Sequence, residues 1–136
     1  MKAADLYREI LLRLAKTGNY WITFKDRFNE KNPAPEYSII HSSNLCTEIG
    51  IPNSETSTAV CNLASINLSK FIKKVPDNIA ELSLEQKLEL IDRDDLKKTV
   101  QIAIEALDNV IDLNFYPSPE ARKNSQDLRP IGLGVM

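Results

Sequence analysis

Asn44, Cys46 and Glu48 stand two residues apart in the run Ser43-Asn44-Leu45-Cys46-Thr47-Glu48-Ile49. In an extended segment alternate side chains share a face, so an amide, a thiol and a carboxylate would line one surface at about 7 Å per two-residue step. Such a trio can hydrogen-bond hydroxyls, carry out sulfur chemistry and move a proton. A polar edge strand holding a structural cysteine fits the same spacing. Cys61 follows in Val60-Cys61-Asn62-Leu63. By itself it reads as packing in an apolar strand. The turn-rich residues 52–57 between the cysteines leave open whether the two thiols meet or act separately. With His41 they make three soft ligands at irregular spacing, short of the about four that a structural zinc site uses. His41 is near Cys46 in sequence, which suggests a Cys–His pair but lacks protease-like surroundings. Gly132-Leu133-Gly134 lacks the third glycine and the following helix of a dinucleotide loop; it points instead to a strand that another backbone approaches closely.

The elements that must position these residues are unevenly marked. Leu6, Ile10, Leu11 and Leu14 recur at helical spacing, and Gly18 just beyond them suits a left-handed cap. The β-branched and aromatic run 20–24 reads as a strand, and the polar run 25–36, with Pro33 and Pro35, as a loop. Residues 37–68 read as strands and loops. Their Asn, Ser, Thr and Cys content is high for a plain core, because buried polar groups cost free energy unless hydrogen-bonded. Ser83-Leu84-Glu85-Gln86 matches a capping box and opens a short helix. Leu96, Val100, Ala103, Leu107 and Val110, flanked by Ile104 and Ile111, predict a helix over 94–112, ended by Tyr116-Pro117-Ser118-Pro119. A polar loop then leads to a strand over 129–136.

Composition bounds what the chain can be. Its 136 residues fit one domain at most, with 43% hydrophobic and 26% charged residues. Seventeen Lys+Arg against 19 Asp+Glu give a net charge of −2, so no basic excess points to nucleic acid. The apolar runs are too short for a transmembrane helix. Asp5, Arg8 and Glu9 interrupt what would be a signal-peptide core, so reduced thiols and a cytoplasmic location are expected.

Several phrases together resemble the large (alpha) subunit of class I ribonucleotide reductase, in its central catalytic segment. They are 43–49, then Val60-Cys61-Asn62-Leu63-Ala64-Ser65-Ile66-Asn67-Leu68, Leu107-Asp108-Asn109-Val110-Ile111-Asp112 with Phe115-Tyr116-Pro117, and Arg129-Pro130-Ile131-Gly132-Leu133-Gly134-Val135-Met136. The opening, Thr17-Gly18 with 21–26 and Asn29, is similar too. Asn-Leu-Cys is the class I form; cobalamin-dependent enzymes usually show Asn-Pro-Cys. The resemblance implies that Cys46 is the thiyl-radical residue that removes the ribose 3′ hydrogen. Glu48 would take the 3′-hydroxyl proton, Asn44 and Ser43 would contact substrate, and Cys61 would be one of two thiols that reduce the 2′ carbon. It implies no cofactor in this chain. The radical would come from a metal-containing small subunit and the electrons from thioredoxin or glutaredoxin. The implied fold is a ten-stranded α/β barrel with the radical cysteine on a central finger loop. Residues 1–136 would be a part of that domain, incomplete at both ends. Its partners would be the ribonucleotide substrate, the small subunit and complementary large-subunit segments, with no nucleic acid and no membrane. Those segments would carry the second redox cysteine, the effector regions, the phosphate-binding loop, the paired tyrosines and the C-terminal reducing cysteines. A non-catalytic remnant or interaction module is the alternative.

Overall fold

Gly18 adopts φ +67°, and its N–H bonds the Leu14 carbonyl at 2.9 Å, closing the first helix, α1 (Ala3–Thr17). A side chain is rarely tolerated in that left-handed conformation, which is why glycine sits there. The computed structural model describes residues 1–19 and 21–136 and divides into two compact units, Met1–Ser54 and Glu55–Met136. In the first unit α1 carries the predicted apolar stripe but fully buries none of its residues.

Two expectations are corrected in this unit. The expected strand over 20–24 is not found: residues 21–24 belong to no strand among the described residues, and Tyr20 lies outside them. β-branched and aromatic residues favour an extended backbone, but a strand also needs a partner for its N–H and C=O groups. The expected loop over 25–36 begins instead with a short helix, α2 (Lys25–Glu30). The strands expected within 37–61 are likewise loop, broken by turns and with isolated bridges but no strand. Side chains replace the ladder there: Asn32 Nδ2 donates to the Ser38 carbonyl at 2.8 Å, and Asn53 Nδ2 to that of Ser42 at 3.3 Å.

The second unit has an α/β arrangement. Strands β1 (Asn62–Ile66) and β2 (Ile131–Val135) run parallel, in register from Asn62 opposite Ile131 to Ile66 opposite Val135. Parallel neighbours need a long crossover. Here it passes through α3 (Leu84–Glu89), α4 (Arg93–Leu113) and α5 (Pro119–Leu128). The capping box at α3 forms as read, with Ser83 and Gln86 exchanging bonds. Helix α4 packs on both strands, burying Leu107 and Ile111 with Ile66, Phe71 and Ala121.

Helix α5 replaces the expected polar loop. Ser118 caps it by accepting from the Ala121 N–H at 3.2 Å, and Pro119 occupies its first turn. Its packed face is Ala121, Asn124 and Ser125, small and polar. Asn124 Nδ2 bonds Ser57 Oγ at 2.9 Å. The Tyr116 hydroxyl donates to the Ile111 carbonyl at 2.7 Å and meets Ser125 Oγ at 2.7 Å. Arg129, at φ +45°, ends α5 and turns the chain into β2.

Candidate active site

The thiol of Cys46 sits on a tight turn. The Thr47 N–H bonds the Asn44 carbonyl at 3.1 Å, which leaves Leu45 and Cys46 at the turn's centre. Thr47 then adopts φ +65°, a strained conformation for a β-branched residue. The segment is therefore not extended, and the alternation that would have put 44, 46 and 48 on one face does not operate. The Asn44 side chain is the physical reason. Its Oδ1 accepts the Ile49 N–H at 3.1 Å, and its Nδ2 donates to Glu48 Oε1 at 2.6 Å. A short polar side chain that bonds its own following backbone competes with an extended chain.

The turn nevertheless brings Asn44 and Glu48 into direct contact and carries Cys46 exposed between them in sequence. Ser43 belongs to the same cluster: its Oγ donates to the Ile49 carbonyl at 2.7 Å and lies 3.2 Å from Asn44 Oδ1. One Asn44 amide hydrogen is used on Glu48, and the second remains for another acceptor. Glu48 accepts through Oε1 and keeps Oε2 for a donor. Glu48 also lines an open groove of about 440 Å³ with Arg27, Phe28, Lys31, Ile40 and Gly50. His41 pairs elsewhere: Lys25 Nζ donates to its Nδ1 at 3.1 Å.

The turn's footing was not legible in the apolar pattern. Asn29, at the end of α2, donates Nδ2 to the Ile40 carbonyl at 2.9 Å and accepts the Ile40 N–H through Oδ1 at 2.8 Å. Only the spacing of Asn29, Asn32, Asn44 and Asn53 along a segment short of strand partners could have flagged such side-chain props.

Cys61 lies in the second unit, immediately before β1, and is half-buried with Sγ 3.9 Å from the Asn62 carbonyl oxygen. It is not disulfide-bonded to Cys46. Across the sheet stands Gly132. A Cβ built there would lie 2.6 Å from Leu63 Cδ2 and 3.7 Å from Cys61 Sγ. The close approach to this glycine is thus made by the end of a flexible side chain, not by the backbone expected from the sequence. Gly132 and Gly134 lie within β2 and form no phosphate loop.

The whole length of the chain is similar to known proteins. A family model described as "Ribonucleotide reductase, barrel domain" matches residues 1–136. The chain is 45% identical over 136 residues to the ribonucleoside-diphosphate reductase subunit alpha of Chlamydia pneumoniae, covering all of this chain and 12% of that subunit. It is 38% identical over 142 residues to the large subunit of Arabidopsis thaliana, covering 99% of this chain and 17% of that subunit. The large chain of Schizosaccharomyces pombe is 38% identical over 135 residues, again across 99% of this chain and 15% of the relative. The chain thus spans between 12% and 17% of the length of these relatives. Since the family match runs through every residue, the chain belongs to the ribonucleotide reductase barrel-domain family.

Proposed function

We propose that the chain works as part of the large subunit of a class I ribonucleoside-diphosphate reductase, within a ten-stranded α/β barrel whose central finger loop is the Asn44–Glu48 turn. The observation that carries this reading is that turn: a thiol at its tip, with an amide and a carboxylate in contact at 2.6 Å at its base. The relatives' names supply the substrate class, ribonucleoside diphosphates. No helix among the described residues is long and apolar enough to cross a membrane.

In this reading the Cys46 sulfur, as a thiyl radical, takes the hydrogen atom from the ribose 3′ carbon and becomes a thiol. Glu48 accepts the 3′-hydroxyl proton on the oxygen that Asn44 leaves open. Asn44 offers its second amide hydrogen to the substrate, and Ser43 Oγ, whose one hydrogen is held by the Ile49 carbonyl, offers a lone pair. The 2′ C–O bond then breaks, the hydroxyl leaves as water, and the 2′ carbon gains hydrogen; the two electrons and two protons this takes come from a thiol pair, Cys61 and a second cysteine outside this chain, which ends as a disulfide. Thioredoxin or glutaredoxin reduces that disulfide, and Cys46 returns the hydrogen atom to the 3′ carbon. The radical is generated by a metal-containing small subunit and passed to Cys46; no resident cofactor is assigned to this chain. Orientation matters because a misplacement of about 1 Å can cost on the order of a hundredfold in rate.

The test is reconstitution. The chain is combined with complementary large-subunit segments, a small subunit and a dithiol reductant, and deoxyribonucleoside diphosphate is measured. Product from the wild type and none from Cys46→Ala supports the reading. Equal product from both would overturn it.

A further inference from the structure

We infer that Asn29 is a positioning residue for the Asn44–Glu48 turn, fixing where that turn stands above α2. The inference rests on the proposed role of the turn, and deepens it. A neighbouring strand would satisfy both the N–H and the C=O of one residue; the Asn29 side chain does this for Ile40, at 2.8 and 2.9 Å. The second Nδ2 hydrogen goes to the Lys25 carbonyl at 2.9 Å, which anchors the amide to its own helix. All three bonds require one orientation of the amide, because a flip would set NH2 against N–H and oxygen against two carbonyls.

Ile40 is 3% exposed, so its backbone is pinned by Asn29 and its side chain by packing. Three residues later Ser43 begins the turn, tied through Oγ to the Ile49 carbonyl on the returning leg. That leg is held by the adjacent α2 residue. A Cβ built on Gly50 would stand 2.9 Å from Phe28 Cδ1, so the ring lies directly on the glycine. Phe28 and Asn29 therefore hold both legs of the loop. Asn29 does so by hydrogen bonds, which specify distance and direction more narrowly than apolar contact.

Two measurements test this. Amide hydrogen exchange in the full chain, comparing Asn29→Ala and Asn29→Asp with wild type, follows residue 40 and the turn amides of Thr47 and Ile49. Amides of α1 and α4 serve as controls. Asn29→Ala should raise exchange about tenfold or more at 40, 47 and 49 together, with the controls unchanged. Asn29→Asp keeps the acceptor and loses the donors, so it should fall between. In the assembled reductase, both variants should lower kcat about tenfold or more, in the same order, with KM within about threefold. Faster exchange at residue 40 alone, or equally in α1 and α4, overturns the positioning role. So does an unchanged kcat in either variant. If the wild-type assembly makes no deoxynucleotide, the functional reading fails, while the exchange pattern still decides whether Asn29 sets the turn.

Discussion

Asn44 does two jobs with one amide, shaping the turn through Ile49 and touching Glu48 at 2.6 Å. The residue types of this site were legible from sequence, because few other combinations supply a hydrogen-bond donor, a thiol and a proton acceptor together. Their geometry was not legible. Period-two reasoning assumes that the backbone is extended by ladder bonds, and here Asn44 supplies the local bonds instead. The positive φ of Thr47 gave no signal, since threonine is a poor left-handed residue and no glycine marked the spot. A direct test replaces the amide by a second carboxylate. Asn44→Asp should convert the contact with Glu48 into a like-charge pair, and one carboxyl should titrate at least about one unit above the ordinary glutamate value of about 4.3. Carbon NMR titration reads this. Two ordinary titrations would mean that the side chains at 44 and 48 are not in contact.

Among the elements, α1, α3, α4 and β2 were readable because each carries a local mark: an apolar stripe, a capping box or an apolar, glycine-containing run beside proline. Helix α5 was not readable as a stripe, because its buried face is Ala121, Asn124 and Ser125, and Ser118-Pro119, which caps and opens it, was read only as the end of the helix before it. Its end is fixed by charge. Arg129 donates Nε to Asp108 at 2.8 Å and both terminal nitrogens to Asp112 at 3.0 and 2.9 Å, fastening the start of β2 to α4. The hydrogen bonds from Arg129 hold the Asp112 carboxyl below the usual carboxylate range. A carboxyl depressed in the folded state adds stability that is complete above its unfolded value, about 3.9, and is lost as pH falls through the native value. Wild type should therefore lose thermal stability on acidification below about pH 4 more steeply than Arg129→Ala, which lacks this pairing. Parallel acid profiles for the two proteins would show that the ion pair does not form.

The molecule as a whole places its apolar residues in ways that the pattern alone could not rank. Leu11 of α1 and Ile111 of α4 both lie on helical stripes, yet Leu11 is 40% exposed and Ile111 is 0%. Ile111→Ala should cost about 3 kcal/mol by urea denaturation, and Leu11→Ala no more than about 0.5 kcal/mol. Comparable losses would relocate the core. The central claim concerns the two cysteines, which the fold keeps in different units and different surroundings: Cys46 on an exposed turn, Cys61 half-buried beside β2. The most direct measurement uses 3′-tritiated ribonucleoside diphosphate with the assembled reductase carrying Cys46→Ser or Cys61→Ser. Cys61→Ser should still attack the 3′ carbon and release tritium to water with loss of base, because hydrogen abstraction survives while two-electron reduction fails. Cys46→Ser should release neither. Equal silence from both variants, or a Cys46–Cys61 disulfide in the turned-over wild type, would contradict this division of labour.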